Sequence, residues 1–563
     1  MTGGAMDGNY WTGRAVSRRA ALRGLGMGAA GLAGAALLGC RGGGSSRASN
    51  DVPPAAVTKA AASPTPAVSV AKYGGTLRAG EQGDTRGLDP HISVGGSDIA
   101  YSWLMTDSLV KFNSKGQPDP TLSLAEKWEV TDGVNITFNL RPNVKFHDGS
   151  MLDAQLIKRN LTRVLDPKTN STASGAMSVI AAIETPDAKT VNVKLKSPNS
   201  AFLTLLGDRG GQVLANKYLD LPVIGQGDKI IGSGPFRYDK WERDSMVRVV
   251  KNPDYWRKTA AGGALPYLDA IELKVIPDEN VREANFQGGQ VDMFQPGFSA
   301  VGNYEKSDKS QLAIFKGIHT QMMFTNTTVA PMDDVRFRRA VSHAIDRKAE
   351  NAALYFGRYI ADDRPGPIPP AYNQIYSGNV SNAPTFDLAE AKKLLEASKY
   401  AKNPNFEQLS GTGAAADQKN ALYTDFMAKL GIKLTSTASR DTDPFYVKRV
   451  LPARTALLTM RADPDGYLSE LFGNAGFYNP GRNAGSPELQ AMDKVLIDAR
   501  STYNPEERKA HYQKLATMGS DFVVQAYSVY GTAYIVGSKR IGNLGDYFSF
   551  DGRPNWGGLW VNA

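Results

Sequence analysis

The chain has 563 residues, a formal net charge of +9 and one cysteine. A single cysteine excludes an intramolecular disulfide framework and cysteine-rich zinc or iron–sulfur sites. With 42% hydrophobic and 9% aromatic residues the chain is not wholly disordered, and at roughly 150 residues per domain its length suggests three or four domains, or one large enzyme with insertions.

The charge is not spread evenly. Arg14, Arg18, Arg19 and Arg23 against Asp7 give +3 within residues 1–40, and Arg41, Arg47, Lys59 and Lys72 against Asp51 give another +3 within residues 41–72. The body from Tyr73 onward is nearly neutral and has no basic run interleaved with aromatics. A nucleic-acid surface is therefore disfavoured.

Ser17-Arg18-Arg19 precedes an uncharged run, Gly24 to Gly39, that ends at Leu37-Leu38-Gly39-Cys40. The run is shorter than the roughly 20 residues that span a bilayer, and it reads as an export signal. The paired arginines resemble a twin-arginine signal, with Ala21 a departure from it. The end of the run resembles a bacterial lipobox, which would make Cys40 the lipidated first residue of the mature chain. Gly26-Met27-Gly28-Ala29-Ala30-Gly31 matches a dinucleotide-binding pattern, but no strand precedes it and no acidic residue follows at the right distance. Residues 41–72 contain no Leu, Ile, Met, Phe, Tyr or Trp. Such a segment buries too little surface to offset its chain entropy, and it reads as a disordered tether reaching on the order of 30 Å.

The body alternates strands and helices. Ala270–Ile276 alternates apolar and charged residues, Asn280–Gln287 follows as a short helix, and Val291–Phe294 resumes as a strand, which together form a parallel strand–helix–strand unit. Residues 113–200 differ in texture: Ile136–Arg141, Val144–His147 and Thr190–Lys196 read as strands around a helix at Leu152–Leu165, a small α+β insertion. Asp334–Asn351 reads as one helix. Asp387 with Glu390, and Asn504-Pro505 with Glu507, mark further helix starts. Lys419–Leu430 is helical, and Ala456–Met460 is a strand stopped by Asp463-Pro464-Asp465-Gly466. Gln321–Thr327 and Val523–Val536 connect two α/β lobes, so a cleft between the lobes is the expected ligand site.

Several segments then match one family in order and spacing. They are Gly74-Gly75-Thr76-Leu77, Gly87-Leu88-Asp89-Pro90, Leu122–Trp128, Phe146-His147-Asp148-Gly149, Gly232-Ser233-Gly234-Pro235-Phe236, Lys251–Trp256, Asp334–Lys348 and Gly366-Pro367-Ile368-Pro369. From about Tyr73 to the C-terminus the chain resembles the extracellular solute-binding proteins of the peptide/nickel type that serve ATP-binding-cassette importers. The resemblance implies a type II periplasmic-binding-protein-like α/β fold, two lobes on a two-segment hinge, with an α+β subdomain inserted in the first lobe. The expected organisation is a signal at 1–39, lipidated Cys40 and tether at 40–72, lobe I at 73–112, the insertion at 113–200, lobe I again at 201–319, lobe II at 320–528 and a return to lobe I at 529–563.

The resemblance implies capture of a peptide or peptide-like solute by hinge closure and delivery to a membrane permease. The expected protein is exported, held by its lipid at the outer face of the cytoplasmic membrane, monomeric, without cofactor and without catalytic residues. Alternatives are a non-peptide solute (a metal chelate, an oligosaccharide or an opine-like compound), a chaperone or sensor role and, last, an exported hydrolase. No G-x-S-x-G, H-E-x-x-H or P-loop occurs in the body. The histidines, His91, His147, His319, His343 and His511, show no pair at metal-ligand spacing.

Peptide-binding members of the family place a carboxylate three residues before the turn matched by Asp463-Pro464, where it pairs with the peptide's α-amine. Here that position is Met460, followed by Arg461. The ligand is therefore expected to lack a free α-amine at this point, or to present an anionic group to Arg461. The other candidates for the cleft are Asp84 and Arg86 after the first strand, Asn326 at the first crossing, Asp463, and Tyr478 after the Gly473–Gly476 loop.

Overall fold

The computed structural model describes residues 71–92, 96–221, 229–374, 380–461, 463–474, 476–482 and 485–562. The export segment, Cys40 and nearly all of the tether lie outside the described residues.

In chain order the first strands are β1 (Thr76–Glu81), β2 (Ala125–Thr131), β3 (Asn135–Leu140), β4 (Ile180–Glu184) and β5 (Thr190–Leu195). They are followed by β6 (Phe236–Glu242), β7 (Met246–Lys251), β8 (Ala270–Val275), β9 (Met293–Phe294) and β10 (Ser310–Thr325). The second half of the chain adds β11 (Phe406–Ser410), β12 (Leu434–Ala438), β13 (Ala453–Thr459) and β14 (Gln525–Ser538). Ten strands share one sheet in the order β12-β11-β13-β10-β14-β9-β1-β8-β7-β6.

β8 and β9 both run parallel to β1 and flank it, so the strand–helix–strand unit crosses over β1. Its helix, Glu279–Gln287, starts where the Asp278 carboxylate accepts the Val281 N–H at 3.0 Å. Leu77, Ile271, Leu273, Val247 and Val249 from β1, β8 and β7 are fully buried and form the core of the first lobe. The inserted segment makes its own four-stranded sheet, β2-β3-β5-β4, covered by the helix Ala154–Leu165. Leu156, Leu161 and Val164 of that helix pack on Phe138 and Val191.

The long strands β10 and β14 pair antiparallel, Ser310 opposite Ser538 at one end and Phe324 opposite Gln525 at the other. β14 is flanked by β9 of the first lobe through Val536 and Gly537, whereas β10 is flanked by β13 of the second lobe from His319 to Thr325. These two strands are the crossing between the lobes.

Two expectations are corrected. Asp334–Asn351 is not one helix but two, Val335–Ala344 and Arg347–Tyr355. Ile345 turns into the core and the Asp346 carboxylate caps the second helix at the Ala349 N–H, 2.9 Å away. Val144–His147 is no strand beyond a single antiparallel bridge, Lys145 opposite Met151. Asp148 accepts the Ser150 N–H at 3.0 Å, and the Gly149 N–H reaches back to the Phe146 carbonyl at 2.9 Å, so the segment folds as a tight turn.

That turn has a structural task. The His147 N–H donates to the Gly232 carbonyl at 2.8 Å, and the ring Nε2 lies 3.1 Å from the Gly234 carbonyl. A Cβ at Gly234 would sit 2.5 Å from the Met105 carbonyl carbon, so the Gly-Ser-Gly segment is one that only glycine allows to pack this closely. Two motifs of the sequence are thus halves of one joint.

A buried ionic cluster ties the insertion to the first lobe. Arg163 pairs with Asp89 at 2.6 Å, Tyr218 donates to the same carboxylate at 2.9 Å, and Arg163 Nη1 donates to His91 Nδ1 at 2.7 Å. His91 Nε2 then donates to the Gln212 carbonyl at 2.9 Å, so the ring is held neutral. Burial brings His91 down to about 4, with the Asp89 and Arg163 charges opposing each other as smaller effects. Burial also brings His147 and His319 to about 4.

A histidine with a lowered folded pKa is neutral in the fold and takes up a proton on unfolding, so its stabilisation is present above the unfolded value of about 6.5 and is lost as pH falls toward 4. Thermal melts are expected to drop steadily from pH 6.5 to 4, with His91 alone contributing on the order of 3 kcal/mol; a flat profile over that window would contradict the assignment. Asp89→Ala deprives the buried Arg163 of its carboxylate and is expected to cost about 3–5 kcal/mol in urea unfolding. A loss below about 1 kcal/mol would remove the cluster from the account.

Candidate functional site

The helix Pro464–Phe472 begins directly after β13, where Asp463 accepts the Asp465 N–H at 2.8 Å and Pro464 occupies its first turn. Its N-terminal end faces the insertion. Between them lies a cavity of about 110 Å³. Thr172, Met177, Thr204, Asp208 and Arg209 form one wall and Arg461, Asp463, Gly466 and Glu470 the other. One wall belongs to the N-terminal side of the strand crossing and the other to the second lobe. The two sides also touch beside it: the Ser200 N–H donates to the Arg500 carbonyl at 2.7 Å and the Tyr503 hydroxyl to the Gly133 carbonyl at 3.0 Å.

A larger, shallow depression of about 410 Å³ lies among Pro120, Glu126, Arg141, Trp256 and Lys258. All of its walls come from one side of the crossing, so lobe closure does not act on it. The smaller cavity is the candidate site.

Its electrostatics follow from a few contacts. Burial alone would raise the Asp208 carboxyl, but the guanidiniums of Arg553, Arg461 and Arg209 hold it well below the usual carboxylate range. Arg553 makes the direct pair at 3.0 Å and is itself braced by Asp551 at 3.3 Å. Asp463 is gripped by both terminal nitrogens of Arg508, at 2.6 and 2.8 Å, a bidentate pair. Glu470 accepts the Phe477 N–H at 3.0 Å and faces the charge of Arg482. Arg209 donates to the Thr172 hydroxyl at 3.3 Å.

Arg461 is placed by its main chain. Its N–H donates to the Tyr372 hydroxyl at 2.8 Å, and the same hydroxyl donates to the Arg461 carbonyl at 2.6 Å. Burial raises the Tyr372 phenol far above its ordinary value, so the hydroxyl stays protonated and serves both contacts. The Arg461 stem then crosses Gly466, where a Cβ would meet Arg461 Cβ at 3.4 Å.

The residues singled out in the sequence divide as follows. Arg461 and Asp463 line the cavity. Met460 is 2% exposed and lies in the core of the second lobe with Tyr372 and Tyr467, its N–H on the Ile318 carbonyl at 2.9 Å. Asp84, Arg86, Asn326 and Tyr478 are not among the cavity walls. Asp84 accepts the Trp241 indole N–H at 3.0 Å and the Asp244 N–H at 2.8 Å, so it pins the β6–β7 hairpin to the end of β1. Arg86 is exposed, and its N–H donates to Asp98 at 2.9 Å. Asn326 is fully buried, its amide donating to the Arg449 and Leu451 carbonyls at 3.0 and 3.3 Å. Tyr478 packs among Phe324, Tyr446 and Phe477.

Sequence reasoning missed Asp208, Arg209, Tyr372 and Arg553. A signal existed for the first two: they sit in Gly207-Asp208-Arg209-Gly210-Gly211. A Cβ at Gly211 would fall 1.9 Å from the Leu206 carbonyl oxygen, so this glycine-rich turn is built for close approach. Nothing local marks Tyr372 or Arg553, which reach the site only through the fold.

Comparison with known proteins agrees with this architecture. A model described as bacterial extracellular solute-binding proteins, family 5 middle, matches residues 119–479. The glutathione-binding protein GsiB of Escherichia coli O157:H7 is 30% identical over 403 residues, 69% of this chain and 76% of that protein. Heme-binding protein A of Haemophilus influenzae is 27% identical over 476 residues, 76% of this chain and 82% of that protein. Among solved structures, the ABC transporter-associated periplasmic binding protein DppA from Helicobacter pylori, in complex with the peptide STSA, superposes with a TM-score of 0.74 at 22% identity, covering 87% of this chain and 99% of that one. Two α/β lobes crossed by β10 and β14, a cavity built half from each side and a family match over most of the chain lead to one conclusion: this chain belongs to the bacterial extracellular solute-binding proteins of family 5.

Proposed function

We propose that the chain is the substrate-binding lipoprotein of an ATP-binding-cassette importer. It captures a peptide or peptide-like solute by closing its lobes and hands it to the permease. The observation that carries this reading is the cavity walled by residues from both sides of the strand crossing, because only a cleft of that kind changes its affinity when the lobes move. The names of the relatives, one for glutathione and one with a bound peptide, support a peptide-like solute.

The chain works as a binder rather than an enzyme, in keeping with its membership of a solute-binding family. It works as a monomer on a tether. Among the described residues no helix is long and apolar enough to cross a membrane. A lipid on Cys40, which ends the Leu37-Leu38-Gly39-Cys40 run, supplies the attachment at the outer face of the cytoplasmic membrane in this reading. The arginine pair and apolar run before it serve as the export address.

Two outcomes check the reading. Met460 offers no charge to a peptide amine. Calorimetry with a bound peptide and its N-acetylated form is therefore expected to give affinities within about threefold, whereas loss of a buried charge pair would cost about 2–5 kcal/mol and contradict it. Cys40→Ala is expected to abolish metabolic labelling by fatty acid and to move the protein from the membrane fraction to the soluble one; unchanged membrane retention would refute the anchor.

A further inference from the structure

A second contact joins the two lobes away from the cavity. The short helix Val301–Glu305 follows β9 and packs on the first lobe, where the Tyr304 ring meets Phe294 at 5.9 Å and its hydroxyl donates to Glu283 at 2.7 Å. Tyr355 ends the second-lobe helix Arg347–Tyr355. Asn351 of that helix brackets Tyr359, its amide donating to the Tyr359 carbonyl at 2.8 Å and its side-chain oxygen accepting the Tyr359 N–H at 3.0 Å. Between these supports Phe298 stands nearly perpendicular to both tyrosines, its ring centroid 5.7 Å from Tyr355 and 5.0 Å from Tyr359, and Glu305 pairs with Arg358. Gly302 keeps room for that guanidinium: a Cβ there would lie 3.0 Å from Arg358 Nη2.

This contact lies on the far face of the crossing from the helix that borders the cavity. Along β10, Met322 and Phe324 enter the core that holds Tyr372 and the helix Pro464–Phe472, whereas Met323 points to the opposite core with Ala526 and the helix Val335–Ala344. The ladder with β13 is unbroken from His319 to Thr325, so His319 shares the face of Met323. Its ring meets Tyr359 at 5.4 Å, and the Tyr534 hydroxyl of β14 donates to the Arg358 carbonyl at 3.0 Å. The segment from Tyr355 to Tyr359 is thus laid against the crossing strands themselves. None of Phe298, Glu305, Tyr355, Arg358 and Tyr359 is a wall of the cavity.

The two sides of the cavity touch at Ser200–Arg500 and Tyr503–Gly133 while the contact behind the crossing is also made. A rotation about β10 and β14 that parts the walls displaces Tyr359 and Arg358 relative to Phe298 and Glu305. Ring pairs and ion pairs lose their strength within a few ångströms, so opening gives up both. We propose that Phe298 and Glu305, seated on Tyr355, Arg358 and Tyr359, form a clasp behind the hinge that favours the closed lobes and so sets the affinity for the solute without touching it. This deepens the reading of the chain as a solute binder that closes its lobes, and rests on it. Apparent affinity scales with the population of the binding-competent state. The clasp therefore acts on every solute by one factor, whereas a residue of the cavity wall acts on each solute differently.

The test uses the purified chain as wild type, Phe298→Ala, Glu305→Arg, and Glu305→Arg combined with Arg358→Glu, each checked by thermal melts. The probes are glutathione and the peptide STSA. Calorimetry is expected to show Phe298→Ala and Glu305→Arg weakening each probe that the wild type binds by the same factor, about three- to tenfold. The swapped pair is expected to recover most of the loss. Unchanged affinity overturns the clasp, as does a loss that the swap does not restore; a lowered melting temperature with unchanged affinity leaves these residues a structural role only. In each of these outcomes the solute-binding reading stands. If the wild type binds neither probe, the peptide-like solute fails, and small-angle X-ray scattering of the solute-free chains decides the clasp. A larger radius of gyration in Glu305→Arg than in the wild type, reversed by the swap, supports it; equal radii overturn it.

Discussion

The antiparallel pairing of β10 with β14 is the constraint on which the remaining structure depends. One strand leaves the first lobe and the other returns to it, and both are needed to carry a single sheet through two halves. Their ladder is interrupted between Lys316 and His319 and again between Thr320 and Met322. Such irregularities bend a strand and raise its twist. The sheet is therefore continuous in connectivity yet locally weakened where the lobes meet, which is the mechanical requirement of a hinge. β13 pairs with β10 up to the first irregularity and ends one residue before Met460, so the crossing also sets where Arg461 is delivered.

Around that hinge the buried charges are divided by task. Asp89, Arg163, His91 and Tyr218 form a closed cluster whose partners are all protein groups, and it locks the insertion to the first lobe. Asp465 with Arg500, and Asp463 with Arg508, do the same for the first turn of the helix that borders the cavity. In each of these pairs a protein guanidinium holds the carboxylate in place. Their value is geometric: a charge that is bidentate and buried holds one arrangement, because any other leaves it unpaired. The cavity lies between two such rigid frames, so its shape is a consequence of the pairs around it.

The elements with strong local signals were legible in the sequence. β8 announces itself by alternation, and the helix starts at Asp387 and Asn504 follow from side chains that accept the orphan N–H groups. The two crossing strands were found, though only in part: β10 begins at Ser310, eleven residues before the segment expected, because its first half pairs along β14 and not with the second lobe. The helix break at Asp346 was missed because its apolar spacing is continuous while its capping carboxylate is not an apolar signal. At the site, Arg461 and Asp463 stand beside a visible turn and could be read. Asn326 and Asp84 are also polar residues at strand ends, but their side chains satisfy local backbone and indole groups. Sequence position does not distinguish a polar group that closes its own loop from one that faces a cavity; only the positions of their partners do.

Solute capture requires the two halves joined by β10 and β14 to move toward each other. Small-angle X-ray scattering of the purified chain, stripped of any co-purified solute and then titrated with a binding ligand, measures this directly. The radius of gyration is expected to fall as the site saturates, with no change in oligomeric state. A radius that stays constant while calorimetry shows saturation would contradict it.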